Sequence, residues 1–155
     1  MIMTRAATLG DAKGMVAVQN AIFAAGLRAA PTDIETVTTH YLDNPNRIAC
    51  TVAVDAAGSI LGFQSLQLAT AAGNPYGVAA GWGIIGTHVS PSAARQGVGK
   101  ALFEASLTAA RAAGLRDIDA SIGADNVLGQ AYYEAIGFRT YRTTPDRICK
   151  AFHLS

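Results

Sequence analysis

The chain has 155 residues, of which 50% are apolar and 15% are charged, and its formal net charge is +1. This composition excludes a disordered chain, and the length predicts a single domain over residues 1–155 that buries its own core. The charge balance indicates no basic face for nucleic acid, and every apolar run is shorter than the roughly 18 residues of a membrane span. Arg5 and Asp11 interrupt the segment where a signal peptide would be apolar, so a cytoplasmic location is expected.

The residue types that bind metals or form disulfides show no functional spacing. Cys50 and Cys149 each lie in an apolar, strand-like run, which favours buried core thiols over redox or metal-binding roles. His40, His88 and His153 are scattered along the chain without a partner at metal-ligand spacing. We therefore expect no metal site.

Hydrophobic periodicity predicts strands and helices that alternate at both ends of the chain, with a strand hairpin between them. The predicted strands cover residues 1–7, 47–54, 60–69, 81–89, 117–122, 138–141 and 147–153. The predicted helices begin at the cap Asp11, the capping-box residue Thr32, Gly97 and Asp125, and they end at Gly26, Asn44, Gly114 and Gly137. This order predicts a mixed sheet flanked by helices.

The strand over 81–89 contains more glycine than a strand tolerates for stability alone. Gly81, Gly83 and Gly86 indicate a bulge or a close approach by another backbone or a ligand. An irregular sheet edge explains them equally well.

The most informative stretch runs from Thr87 to Ala101, where a strand ends and a glycine-containing loop opens into a helix. Gly97 and Gly99 would let the backbone approach a ligand, and the first N–H groups of a helix are free to bind an anion. A tight start of the helix explains the same glycines. Two nucleotide motifs are excluded, because a P-loop requires Ser or Thr at Ala101 and a dinucleotide fingerprint requires Gly at Leu102.

The loop resembles the acetyl-CoA site of the GNAT family, the GCN5-related N-acetyltransferases, whose signature is Gln or Arg, two residues, Gly, one residue, then Gly or Ala. Gly97 and Gly99 occupy the two glycine positions. A second segment is similar to the family's final motif, in which Asn starts a helix and Tyr stands four residues before Gly-Phe. Here these residues are Asn126, Tyr133, Gly137 and Phe138. The resemblance implies an α/β (α+β) fold with a mixed, mostly antiparallel sheet of about six to seven strands flanked by about four helices.

Geometry supports the second motif independently. Asn126 and Tyr133 are two helical turns apart, so they project from one helix face, separated by roughly 10 Å along its axis. Taken singly, Asn126 is explained as an N-cap and Tyr133 as a core aromatic. Their joint spacing with Gly137 favours a shared, extended ligand.

By resemblance, the co-substrate is acetyl-CoA, whose pyrophosphate lies on the loop while pantetheine runs along the strand that ends at Val89. Gly83 and Gly86 would make room for it. The cofactor-binding residues implied are His88, Val89, Arg95, Gln96, Gly97, Val98, Gly99, Lys100, Ala101, Asn126 and Tyr133. The chain departs from the signature at Ala94, where the family has Gln or Arg. Arg95 or Lys100 either adds charge there or is a solvated cation.

The reaction implied is direct transfer of the acetyl group to a primary amine in a ternary complex. Tyr133 is the predicted general acid, because a phenol stays protonated at neutral pH and can donate to the departing sulfur. The strand before the loop has no Asp or Glu, so the base stays open between His88, a water chain and an amine that arrives neutral. The alternative function is a non-catalytic acyl-CoA-binding sensor or partner module.

The acceptor site would be bounded by residues 24–31, 82–85 and 143–147. Its predicted substrate-binding residues are Arg28, Trp82 and Arg147. These largely apolar segments favour a small amine or an amino acid with its own carboxylate over a polycation. We expect no nucleic-acid or membrane partner, and the oligomeric state stays open, with a homodimer as one option.

Overall fold

The computed structural model describes residues 2–155; Met1, which the first predicted strand includes, lies outside the described residues. The strands are β1 (Met3–Ala6), β2 (Arg47–Val54), β3 (Ile60–Leu68), β4 (Gly83–Val89), β5 (Asp117–Gly123), β6 (Arg139–Thr143) and β7 (Arg147–His153). The α-helices are α1 (Ala12–Ala24), α2 (Ile34–Val37), α3 (Val98–Ala112) and α4 (Val127–Ala135). Every predicted strand and helix is therefore present.

The seven strands form one sheet in the order β1-β2-β3-β4-β5-β7-β6. All neighbouring strands are antiparallel except β4 and β5, which are parallel and pair only at Gly83 with Ile118 and at Ile84 with Asp119. Beyond these two pairs, β4 and β5 diverge and leave a gap in the middle of the sheet. The mixed, mostly antiparallel sheet with four helices confirms the predicted fold.

Each face of the sheet is covered by helices. On one face, Met15 and Val18 of α1 pack with Tyr41 and with Phe63 of β3. On the other face, Phe103 of α3 and residues of α4 and β5 form a second core, because alternate strand residues point to opposite faces. The gap between β4 and β5 is thus enclosed by helices on both sides.

One predicted helix start is wrong by a residue, and another is right in position but lacks the side-chain bond of a cap. The helix α2 is capped by Asp33, whose side chain accepts the N–H of Thr36 at 2.8 Å, and not by Thr32. The backbone of Thr32 is instead held by the side chain of Asn20, so it cannot take the capping position. Asp11 is the N-cap residue of α1, as predicted, but its carboxylate does not bond to the helix, because it accepts hydrogen bonds from the N–H of Thr8 and the guanidinium of Arg5.

Candidate functional site

The gap exposes unpaired backbone groups along one edge of β4. The N–H of Ser90 donates to the Leu61 carbonyl, and the N–H of Ala69 donates to the Trp82 carbonyl. At both ends of the β3–β4 ladder, the hydrogen-bonded partner on the β4 side is thus an even-numbered residue. Hydrogen-bonded pairs alternate in an antiparallel ladder, and the even-numbered residues of β4 therefore bond to β3. The odd-numbered residues Thr87 and Val89 direct their backbone N–H and C=O groups into the gap.

The loop after β4 ends at the uncapped N-terminus of α3. Gly97 is the N-cap residue with a φ of 81°, a left-handed conformation that favours glycine, and no side chain caps the helix. The N–H groups of Val98, Gly99 and Lys100 have no intrahelical partner, because each would need an acceptor four residues earlier. These groups can therefore receive an anion together with the positive end of the helix dipole.

Gly99 is required for a different reason from Gly97. A Cβ atom at Gly99 would lie 2.5 Å from Cε1 of Tyr132, so the ring of α4 packs directly against the backbone of α3. The Tyr132 hydroxyl donates to the Gly99 carbonyl at 2.7 Å. This contact holds the loop against α4.

Tyr133 lies beside the gap. Its side chain is buried, and its hydroxyl is 2.8 Å from Oγ1 of Thr87. Burial raises the pKa of the phenol well above its ordinary value of 10, against the smaller opposite effect of the Thr87 hydrogen bond. Tyr133 therefore carries its proton at every physiological pH.

Asn126 caps α4 and faces the same region. Its Oδ1 accepts the N–H of Gly129 at 2.9 Å, which confirms the capping role. The cap occupies only the carbonyl half of the amide, and the exposed Nδ2 is left able to donate to a ligand.

Two clefts meet at the gap. The loop cleft, about 780 Å³, lies among the loop, α3 and α4 and is lined mainly by apolar side chains. The cationic cleft, about 460 Å³, lies on the α1 face and is lined by Arg28, His40 and Arg147. Both clefts share Thr87, Asn126 and Tyr133, so a ligand in one can reach a ligand in the other at these side chains.

The cationic cleft holds its positive charge without acidic partners in its lining. Arg147 stacks over Tyr76, with its guanidinium carbon 4.8 Å from the ring centroid, and Arg28 donates to the Ala30 carbonyl. The charge of Arg28 also contributes to lowering the pKa of His40, after the larger effect of burial. The described lining of the cationic cleft therefore favours a ligand with an anionic group.

His88 lies in the cationic cleft and is held by neighbours on its own face. Its ring stacks on Phe63, Nδ1 is 3.5 Å from Nε2 of Gln19, and Nε2 is 3.3 Å from the Tyr41 hydroxyl. Burial lowers the pKa of His88 to about 3, with further lowering by Arg28 and His40. The imidazole is thus neutral at pH 7 and a weak proton acceptor.

A sequence model described as the Acetyltransferase (GNAT) family matches residues 17–138, which is more than half of the chain. The chain belongs to the GNAT family. Membership identifies it as an acyltransferase of the kind that uses acetyl-CoA. No curated protein sequence matches the chain.

Solved structures share the fold at low sequence identity. A GCN5-related N-acetyltransferase from Kribbella flavida is 23% identical, with a TM-score of 0.81 over 99% of this chain and 98% of that one. The protein yncA from Salmonella typhimurium, solved with its cofactor acetyl-CoA, is 17% identical, with a TM-score of 0.75 over 99% and 94%. PaiA N-acetyltransferase from Thermoplasma acidophilum, solved with coenzyme A, is 14% identical, with a TM-score of 0.75 over 99% of both chains.

Most of the residues implied by the GNAT resemblance lie together in the loop cleft. They are Val89, Arg95, Gly97, Val98, Gly99, Lys100, Asn126 and Tyr133. Three of the implied residues do not line the loop cleft, each for a local reason. His88 faces the cationic cleft, the side chain of Gln96 turns back to the Ser92 carbonyl, and the N–H of Ala101 already donates to Gly97.

Two other predictions are corrected by packing. Gly83 makes no room for a cofactor, because its absent Cβ would lie 2.8 Å from Leu115 and 3.0 Å from Leu66 in the core. Trp82 lines neither cleft and packs against Tyr141, with ring centroids 5.2 Å apart. Arg28 and Arg147, in contrast, do line the cationic cleft.

Several residues of the site could not be predicted from the sequence. Tyr41, Tyr76 and Ser121 line the cationic cleft, and Gln64 lies behind Thr87. The signal for Gln64 was a long polar side chain within the apolar strand 60–69. The other three carried no signal, because they come from separate segments that meet only in the folded chain.

Cys50 and Cys149 are both free and buried, as expected of core thiols. Burial raises the pKa of Cys50 to about 11. Within residues 2–155, no three metal-binding side chains cluster, and no helix has the length and apolar character needed to cross a bilayer.

Proposed function

We propose that this GNAT protein transfers the acetyl group of acetyl-CoA to the primary amine of a small molecule that carries its own anionic group. The observation that supports this function best is the meeting of the two clefts at Thr87, Asn126 and Tyr133. Acetyl-CoA would occupy the loop cleft and the amine the cationic cleft, with the thioester in the gap. Direct attack in a ternary complex then needs no covalent enzyme intermediate.

The loop cleft offers a group for each part of CoA. The N–H groups of Val98, Gly99 and Lys100 would hold the pyrophosphate, and the exposed cations Arg95 and Lys100 would add charge. Pantetheine amides would pair with the free backbone edge at Thr87 and Val89, in the manner of an added strand. The resemblance implies that a backbone N–H at His88 or Val89 polarises the thioester carbonyl, and only that of Val89 is free, since the N–H of His88 is used within the sheet. If the N–H of Val89 serves the thioester, the pantetheine amides would pair with the other free groups of this edge.

Tyr133 would act as the general acid. The amine attacks the thioester carbon, the tetrahedral intermediate collapses, and the departing sulfur takes the phenolic proton. The raised pKa keeps this proton in place until negative charge develops on the sulfur.

The amine would reach the thioester as the neutral free base, or pass its proton to water. A catalytic role for His88 stays a prediction, but an imidazole with a pKa of about 3 is poorly matched to an ammonium group. His88 fits better as a wall of the cationic cleft, held neutral between Gln19 and Tyr41.

The acceptor's anionic group would bind near Arg28 and Arg147. Arginine binds carboxylates and related anions through paired N–H groups, which favours an amino acid or a similar amino acid-like anion. The absence of acidic residues from the described lining of the cationic cleft disfavours polyamines and aminoglycosides.

A non-catalytic acyl-CoA-binding module is the second candidate. The observation that favours it is the lack of a carboxylate base in the described lining of the cationic cleft, together with the low pKa of His88. Such a protein would bind acetyl-CoA and show no turnover with any amine.

Binding and turnover separate these candidates. Thermal shifts with acetyl-CoA, coenzyme A and ATP test the loop cleft, and we expect stabilisation by both CoA species but not by ATP. Release of free thiol is then measured with the standard amino acids, methylamine, spermidine and an aminoglycoside. Turnover with an anionic amine supports the enzyme; binding without turnover supports the module; no stabilisation by either CoA species contradicts both.

The acid assignment is tested by Tyr133→Phe. We expect kcat to fall by about 100-fold or more, while the Kd for acetyl-CoA stays close to that of the wild type. Tyr141→Phe is the matched control, because Tyr141 lines neither cleft. An unchanged kcat for Tyr133→Phe would remove the phenol from the mechanism.

A further inference from the structure

A chain of hydrogen bonds connects the loop backbone to the Tyr133 hydroxyl. The Tyr132 hydroxyl donates to the Gly99 carbonyl at 2.7 Å. Nε2 of Gln64 is 3.0 Å from the Tyr132 hydroxyl and 2.9 Å from Oγ1 of Thr87, which is 2.8 Å from the Tyr133 hydroxyl. Gln64 is fully buried and lines neither cleft, so it acts only through these partners.

The carbonyl end of the chain determines the direction of each bond. A carbonyl can only accept, so the single hydroxyl hydrogen of Tyr132 goes to Gly99. The oxygen of Tyr132 must then accept from Gln64, which makes the Gln64 atom at this position the amide nitrogen. The second hydrogen of the same nitrogen goes to Oγ1 of Thr87.

The last bond of the chain joins Thr87 to the Tyr133 hydroxyl. Within residues 2–155, Oγ1 of Thr87 is hydrogen-bonded to Nε2 of Gln64 and to the Tyr133 hydroxyl, and either oxygen of the second bond can be its donor. Because Gln64 donates the first bond, the hydrogen of Thr87 is free to go to the oxygen of Tyr133, and this direction is part of the proposal below. With Thr87 as the donor, the hydrogen of Tyr133 has no acceptor among residues 2–155. It is directed into the gap where the two clefts meet.

We propose that Gln64 is a positioning residue that turns the Tyr133 proton toward the leaving sulfur through Thr87. This inference rests on the proposed function, with Tyr133 as the acid. When the carbon–sulfur bond breaks, its electron pair moves to sulfur, the Tyr133 proton follows, and the phenolate oxygen is stabilised by the hydrogen bond from Thr87. Water then returns a proton to Tyr133, and the amine releases its proton to solvent.

The network also connects the acid to the cofactor loop. The Gly99 carbonyl belongs to the same residue whose N–H faces the proposed pyrophosphate position. A displacement of this turn would loosen Tyr132 and Gln64 before it reached Tyr133. The loop and the bonds that orient the proton are thus linked through the Gly99 carbonyl.

The first test is a double-mutant cycle on the amine that gives the fastest thiol release. Gln64→Met removes both donated bonds at similar side-chain length, and we expect kcat to fall about tenfold with the Kd for acetyl-CoA within about twofold of wild type. In the Tyr133→Phe background, the same substitution should change kcat by less than about twofold, because the proton that it orients is gone. A merely structural role would lower kcat equally in both backgrounds.

Thr87 gives a second test if Gln64→Met does not fold. Thr87→Ser keeps the hydroxyl and should keep most of the activity, whereas Thr87→Val keeps the shape and should lose about tenfold in kcat. Ser106→Ala is the control for loss of a buried polar group, since Ser106 is buried in α3 and its hydroxyl has no hydrogen-bond partner within residues 2–155. Equal activity of the Ser and Val variants would overturn the proposal.

A third readout uses coenzyme A itself and needs no amine. A hydrogen bond from Tyr133 stabilises the bound thiolate, so the pKa of the bound thiol, followed by its ultraviolet absorbance, should be lower than in free CoA. Gln64→Met and Tyr133→Phe should each raise it, and the double variant should match Tyr133→Phe. If Tyr133→Phe raises this pKa and lowers kcat while Gln64→Met does neither, the positioning role fails and the proposed acid survives. If Tyr133→Phe has no effect, the proposed acid itself is wrong.

Discussion

His88 has its protonation state set by neighbours that are distant in the chain. Burial by neighbours that include Phe63, Gln19 and Tyr41 is the main cause of its lowered pKa, and the charges of Arg28 and His40 lower it further. The folded protein therefore prefers the neutral imidazole, whereas the unfolded chain binds a proton near the ordinary pKa of 6.5. Acid should consequently favour unfolding through this residue.

Stability should fall as the pH drops from 6.5 toward 3, because the unfolded state binds the extra proton across that window. His88 should contribute a loss of about 2 kcal/mol at pH 5, at roughly 1.4 kcal/mol per pKa unit. Denaturant unfolding of wild type and His88→Gln at pH 7.5 and pH 5 measures it, and the variant should lose less stability. His40→Gln measures the separate contribution of the second histidine whose pKa is lowered by burial. The same pH dependence in wild type and His88→Gln would show that the imidazole is not held neutral.

The loss of stability through His88 occurs at a higher pH than the loss through Asp11. The guanidinium of Arg5 lowers the pKa of Asp11 from 3.8 to about 2. Its contribution to stability is therefore lost only as the pH falls through that lower range. Measurements at pH 5 do not reach it.

Arg95 has a positive φ of 64°, which among residues 2–155 is otherwise found only at glycines. It lines the loop cleft. Such a conformation costs a side-chain-bearing residue about 1 kcal/mol or more, which glycine avoids. Arg95→Gly should allow the same loop conformation without a side-chain penalty while it removes the charge. We expect a several-fold weaker affinity for acetyl-CoA in low salt, with the difference shrinking as salt is added.

Calorimetric titration of acetyl-CoA at two salt concentrations measures this loss. Gln96→Gly is the control for added flexibility, because Gln96 lies next to Arg95 without lining the loop cleft. An equal loss in both variants would indicate flexibility instead of charge.

Among the secondary-structure elements, α3 and α4 are in contact at the first turn of α3, where the loop ends. The ring of Tyr132 occupies the place that a side chain at Gly99 would need, and its hydroxyl holds the Gly99 carbonyl. The first turn of α3 is thereby fixed with its N–H groups directed into the loop cleft. The two sequence motifs are thus one structural unit.

Gly99→Ala should disturb this unit, because the new Cβ would lie 2.5 Å from Cε1 of Tyr132. We expect a loss of about 1–3 kcal/mol in the free energy of unfolding and a weaker affinity for acetyl-CoA. Gly10→Ala is the control, since the nearest atom to its Cβ would be Thr8 Oγ1 at an ordinary 3.7 Å. If Gly99→Ala binds acetyl-CoA as tightly as wild type, the packing of Tyr132 does not set the loop.

At the scale of the whole molecule, the sheet is divided by the divergence of β4 and β5. The strands pair at only two positions, and the rest of β4 is bonded on one side. A cofactor that pairs with this free edge would restore the missing hydrogen bonds. The stability of the centre of the sheet should therefore depend on the ligand.

Hydrogen exchange followed by mass spectrometry measures this dependence. Acetyl-CoA should slow exchange in residues 85–89, where the amides of Thr87 and Val89 face the gap. Residues 47–54 should change little, because β2 is already paired with β1 and β3. Protection confined to residues 95–100 would show that the cofactor binds the loop without pairing with β4.

The order of strands and helices, the loop with Gly97 and the helix cap Asn126 could all be predicted from the sequence. They depend on short-range physics, namely side-chain period, glycine conformation and capping within a few residues. The family resemblance rests on the same local signals. The grouping of Arg28 with Arg147 followed from the expected architecture.

Three features could not be predicted from the sequence: which backbone edge of β4 is free, which packing contacts require glycine at 83 and 99, and where Trp82 lies. These features depend on strand register and on contacts between segments far apart in the chain, which no local pattern encodes. Gln64 is the clearest case, since its role follows from Tyr132 and Thr87 meeting around one amide. Local patterns and the family resemblance therefore predicted the fold and the kind of cofactor, whereas the proposed orientation of the proton donor depends on contacts that form only in the folded chain.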